Sequence, residues 1–128
     1  MQIYDKPAID SLWEIVKPLS DTIPIYREVM TEDKNGTPNS YVILRSDVTN
    51  YGEIYGDGES HIRVSDCDII LVSKGFADTK TCTHNVNKAK INALLKQSGV
   101  AYRLINLGYI ESLKSTECTW ALEVVINA

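Results

Sequence analysis

From Pro7 to Leu19 the apolar side chains Ile9, Leu12, Trp13, Val16 and Leu19 recur three and four residues apart, the spacing of one helical face. Pro7 suits the first turn of that helix and Pro18 its frayed end. Pro24 to Met30 reads as a short strand, the run through Asn35-Gly36 and Pro38 as a turn, and Tyr41 to Ser46 as a second strand. In "HIRVSDCDIILVS", Ile62 and Val64 have one parity while Cys67, Ile69 and Leu71 have the other. That slip predicts a bulge or bend at Ser65-Asp66 in a long strand. A helix is expected from an Asp78 N-cap to Ser98 with Gly99 ending it, its stripe being Cys82, Val86, Ala89 and Ala93, widened by Ile91, Leu94 and Leu95. "AYRLINLGYIESL", with a bulge at Gly108, should pair with the alternating run Cys118, Trp120, Leu122, Val124 and Ile126 as a closing hairpin. The order α-β-β-β-α-β-β predicts one α+β domain over residues 1–128, with a mostly antiparallel sheet of about five strands and two helices.

Between the second and third of these strands lies "DVTNYGEIYGDGES", Asp47 to Ser60, which has two tyrosines, three glycines and no lysine or arginine. It is longer than the connections usual in compact domains, and loops of that kind are commonly functional. A dinucleotide loop would need a glycine where His61 stands, and a P-loop would need a lysine. Counting a calcium loop from Asp47 puts Tyr51 at the fifth position and Gly58 at the twelfth, where a glutamate is required. Tyr51, Ile54 and Tyr55 have no place in the alternation of either flanking strand. Tyrosine is enriched at interface cores, so these three are the candidate subunit or partner interface, with Gly52, Gly56 and Gly58 supplying the bends of a long loop or arm at 47–60.

Composition narrows the choice of chemistry. Thirteen basic against seventeen acidic residues give a net charge of −4 without a basic cluster, which disfavours gripping of nucleic acid. The start of the chain has neither the basic nor the apolar region of a signal peptide, and no apolar run is long enough to span a bilayer. Three cysteines, Cys67, Cys82 and Cys118, argue for buried thiols rather than a disulfide framework. They and His84 lack metal-ligand spacing, so no metal, cofactor or catalytic residue is expected and an enzyme is not. Trp13 and Trp120 read as core, His61 and His84 as partly exposed polar residues, and Asp66 and Asp68 as a solvated strand face.

The helix followed by "IPIYREV", "SYVILRS", "HIRVSDCDIILVS", the helix "DTKTCTHNVNKAKINALLKQSG" and the hairpin "YRLINLGYIESL…TWALEVVINA" resembles the tail terminator, or tail-to-head joining (tail completion), proteins of long-tailed bacteriophages and prophages. The resemblance runs over nearly the whole chain, in the strand ending near "Y-x-E-V", the "P-x-S-Y-V-I-L" entry to the next strand and the helix of about five turns. The segment Asp47–Ser60 departs by its length. The resemblance implies a virion structural protein that caps the tail tube as a ring, commonly a hexamer. Its implied partners are further copies of itself, the major tail tube protein and a head-closure or neck protein, with DNA passing through without specific binding and no membrane involved. It would be assembled in the host cytoplasm and reside in the virion tail. Two other readings fit the same composition: a small α+β ligand-binding module or enzyme using 47–60 as a lid with Cys118 or His84 as reactive groups, and an adaptor of a mobile element that inhibits a host factor.

Overall fold

A computed structural model describes residues 3–30, 36, 38–55, 61–77 and 79–127, with the backbone alone described at 3, 47–55, 61–63 and 127. The elements are β1 (Ile3–Tyr4), α1 (Ala8–Val16) running into a 3-10 turn (Lys17–Leu19), β2 (Ile25–Arg27), β3 (Ser40–Tyr55), β4 (His61–Lys74), α2 (Thr83–Ser98), β5 (Ala101–Ile110) and β6 (Ser115–Asn127). The fold is α+β, in the expected order of helices and main strands, with one two-residue strand added at the start.

Strands β3, β4 and β6 form an antiparallel centre, and β5 pairs antiparallel with β6. Beyond β5, the same edge of β6 is taken by β1, which runs parallel at Val125 and Ile126. At the opposite side β2 lies parallel to β3. It is shorter than Pro24–Met30 because Glu28 takes a left-handed conformation (φ 69) while its N–H still bonds the Leu44 carbonyl.

Both helices pack on one face of the sheet. Leu12, Val16, Val42, Leu44, Ile69, Leu71, Ile91, Leu95, Trp120 and Val124 are sealed between the layers, each large side chain contributing about 1.5–3 kcal/mol of transfer free energy. Trp120 also satisfies its indole N–H on Asn92 Oδ1 at 2.7 Å. Trp13 is only half-buried at the margin, with the Arg27 guanidinium 5.8 Å from its ring centroid. Arg27 in turn bonds Asp10 at 2.6 Å and so ties β2 to α1.

Two expectations about continuity need correction. Strand β4 does not slip: its pairing with β6 is unbroken from Ile62 to Lys74, and Ser65, Cys67, Ile69, Leu71 and Ser73 are all buried on one parity. The irregularity lies on the neighbouring strand, where residues 47–50 of β3 stand against Asp66 alone. Val64 has the other parity simply because it faces the second side of the sheet, opposite Val125. The bulge at Gly108 is present, with φ 72 and the register shifting between Asn106 and Gly108.

Helix α2 also differs from expectation. It starts at Thr83, capped by an extended Cys82, after a turn in which Asn85 Nδ2 bonds the Thr79 carbonyl at 2.7 Å; Asp78 lies outside the described residues. Its buried positions are His84, Asn87, Ile91 and Leu95, whereas Val86, Ala89 and Ala93 face outward. Gly99 closes the helix in the left-handed conformation, φ 76.

Candidate assembly surface

The segment expected as a loop is strand as far as Tyr55. Past the bulge, β3 and β4 resume pairing with Tyr51 opposite Ser65, Gly52 opposite Val64, Glu53 opposite Arg63, Ile54 opposite Ile62 and Tyr55 opposite His61. Five residues at about 3.3 Å each make a hairpin of roughly 16 Å. Gly52 therefore sits inside a ladder rather than at a bend, while Gly56 and Gly58 lie outside the described residues. The side chains of Tyr51, Ile54, Tyr55 and His61 lie outside them too, so register is what the structure gives for this arm.

Where both helices cover one face of the sheet, the other face has no helix on it among the described residues. Its cross-strand rows follow from the register. Tyr41, Val72, Glu117 and Gly108 form one, and Ile43, Ile70, Thr119 and Ile105 the next. Tyr41 meets the Tyr26 ring edge-on at 6.0 Å, and burial followed by the nearby Glu117 charge pushes its phenol pKa up. Toward the arm the rows turn charged: Arg45, Asp68, Ala121 and Arg103, then Asp66, Glu123 and Ala101. A groove of about 520 Å³ opens over these last two rows, lined by Asp66, Asp68, Arg103 and Glu123 and floored by Ala101 and Ala121. Small alanines between long charged side chains create the hollow.

The final row contains a local conflict. Asp66 and Glu123 are both exposed and stand directly opposite each other on β4 and β6, and like charges so placed destabilise a strand pair. The β3 bulge leaves Asp66 with no register partner on its other side. Asp68 differs, since Arg45 is its partner. Asp66 and Asp68 share a strand face by sequence alone, whereas Glu123 comes beside them only through strand register, which is a tertiary fact.

Beneath the start of α2 lies a buried polar cluster. His84 Nδ1 is 2.9 Å from Ser73 Oγ, which is 2.8 Å from Ser40 Oγ, and Asn87 Nδ2 donates to Ser40 Oγ at 3.5 Å. His84 is thus buried rather than partly exposed, and its pKa is lowered by burial and secondarily by Lys88. A hollow of about 360 Å³ alongside is lined by Ser40, Ser73, Phe76, Cys82 and His84 among others. Among the described residues no carboxylate bonds the imidazole, so the cluster has a hydroxyl and a base but no orienting acid. Its evident effect is to fasten α2 to β3 and β4.

The thiols divide by burial. Cys67 is pushed up to about 11 and Cys118 to about 12, in both cases chiefly by burial, which holds them as inert protonated thiols near neutral pH. No hydrogen bond joins Cys118 to His84 among the described residues. Cys82 is half-exposed. Among the described residues no group of three or more His, Cys, Asp or Glu side chains is placed to hold a metal ion, and no helix is long and apolar enough to cross a membrane. No protein-family model matches the chain, and searches of characterised proteins and of solved structures found no significant match.

Proposed function

We propose that the chain is a structural protein of a long-tailed phage or prophage, a tail terminator that caps the tail tube as a ring, commonly of six copies, and joins it to the head-closure or neck protein. The observation that supports this reading best is the division of the sheet, one face closed by both helices and the other left open and continued into a paired β3–β4 hairpin. A ring subunit needs surfaces that meet other subunits, and it needs no reacting centre. The open face and the hairpin supply such surfaces. Tyr51, Ile54 and Tyr55 on the hairpin are the proposed anchors to a neighbouring copy or to the tube, and the acidic balance of the chain suits a conduit along which DNA slides unheld.

The test is to add the purified protein to growing tubes of the cognate tail-tube protein. Capped tubes of arrested length with a terminal ring in negative stain are the expected result. Tubes that grow unchanged, with the protein monomeric by light scattering throughout, would discard the reading.

The groove also favours one alternative, a small-ligand module, because about 520 Å³ falls within the range of ligand pockets. A thermal-shift screen with nucleotides, divalent metals and small organic acids separates the two. A stabilisation of several degrees that Ala121→Trp abolishes would favour the ligand module.

A further inference from the structure

Helix α2 and the open sheet face lie on opposite sides of the molecule, and their charges are opposite. From Thr83 to Ser98 the helix has three lysines, Lys88, Lys90 and Lys96, and no carboxylate. Lys80 precedes it and lines a shallow hollow with Asn85, Lys88, Ala89 and Asn92. Its outward line is Val86, Ala89 and Ala93, side chains short enough to let another surface approach the helix backbone, with exposed Lys90 on one flank and half-buried Lys88 on the other beside Asn85 and Asn92. Across the molecule, the groove floored by Ala101 and Ala121 is edged by Asp66, Asp68 and Glu123, with Arg103 as its one lining cation among the described residues. The Asp66–Glu123 opposition costs stability within a single copy, and a cation arriving between them would reverse its sign. A convex basic ridge and a concave acidic groove on opposite sides of one chain make a head-to-tail pair of surfaces, which repeats around a ring when its rotation closes.

We infer that the groove over Asp66 and Glu123 receives the α2 ridge of a second copy of this chain, with Lys88 or Lys90 placed between the two carboxylates. This rests on the ring reading above and adds which surfaces meet. It also accounts for the outward apolar stripe of α2, which the fold of one copy does not use.

The experiment uses full-length protein assembling on tail tubes, with two surface-reversed variants: Asp66→Lys with Glu123→Lys, and Lys88→Glu with Lys90→Glu. Each alone should lower ring formation at least about tenfold, since like charges then face each other. An equimolar mixture should restore rings, because the basic groove of one variant accepts the acidic helix of the other. Carbodiimide coupling of mixed light and heavy-isotope wild-type protein should join the Asp66 or Glu123 peptide to the Lys88–Lys90 peptide between copies. If wild-type rings form and either variant assembles within twofold of them, the inference falls and the ring reading stands. If wild-type protein forms no ring and no multimer, both fall. Should a reversed variant melt far below the wild type, the neutral pair Asp66→Asn with Glu123→Gln and the isotope-mixed coupling decide. Unreduced assembly of the neutral pair together with absence of the coupled peptides overturns the proposal.

Discussion

The two faces of one sheet are made from alternate residues of the same strands, yet they differ in cover and in chemistry. On the covered face, Leu44, Ile69, Trp120 and Leu122 leave almost no surface to solvent and Cys67 and Cys118 fill the gaps between them. On the open face the same strands present Arg45, Asp68, Thr119, Ala121 and Glu123. The covered face holds most of the sealed apolar side chains, so its residues have little freedom to vary in volume, while the other face buries Ile43, Val72 and Val125 in rows away from the charged ones. The open face can tolerate even a carboxylate opposite a carboxylate, because the other side of the sheet sets the strands' positions. A locally unfavourable pair that persists in an exposed row of that face is the kind of inconsistency expected where a protein meets a partner.

The contrast should be sharpest in thiol chemistry. With Cys67 pushed up to about 11, roughly one molecule in a thousand carries that thiolate at pH 8, and Cys118 is held higher still. Native protein treated with a disulfide reagent should therefore lose one thiol quickly, half-exposed Cys82, and the other two only on denaturation. In stability, Trp120→Ala should cost about 3–5 kcal/mol by chemical denaturation, enough to unfold a marginal domain. Ser73→Ala should cost about 1–3 kcal/mol, since it strips buried His84 and half-buried Ser40 of their shared partner.

The same cluster gives a pH dependence whose sign is fixed. The His84 pKa is lowered in the fold, chiefly by burial, so the folded state binds protons less readily than the unfolded chain, whose histidine titrates near pH 6.5. The stability it confers is complete above that value and is lost as the pH falls below it. Melting between pH 7 and pH 5 should decline less in His84→Asn, whose amide can still bond Ser73. An equal decline in both proteins would remove His84 from the account. The smallest effect belongs to the open face: Glu123→Gln should leave the monomer unchanged or raise its stability by up to about 1 kcal/mol. A loss of several kcal/mol there would break the distinction between the faces.

How much of this could be seen in the sequence follows the same division. Strand β6 was legible because a strand covered on one side alternates strictly, and the α+β order followed from a few such patterns. The orientation of α2 was not, because its buried face starts with His84 and Asn87, polar residues satisfied by Ser73 and Ser40 from distant strands. Small apolar Val86, Ala89 and Ala93 then imitated a core stripe. The hairpin past Ser46 read as a loop because its glycines, acids and bulge suppress alternation, although the ladder resumes at Tyr51. Strand β1 is too short to leave a period. Tyr51, Ile54 and Tyr55 are interface candidates by their chemistry, and the structure adds their register. Glu123, Ala101 and Ala121 entered the site only when strand pairing placed them beside Asp66.

The proposed use of the second face for assembly is tested most directly by carboxylate footprinting of free protein and of protein assembled on tail tubes, read by mass spectrometry. Asp66 and Glu123 are exposed in the single copy and should label readily there, then become protected at least about tenfold on assembly, while exposed Asp21 beside the helical layer labels alike in both. Equal labelling of Asp66 and Glu123 in the free and assembled states would contradict the account.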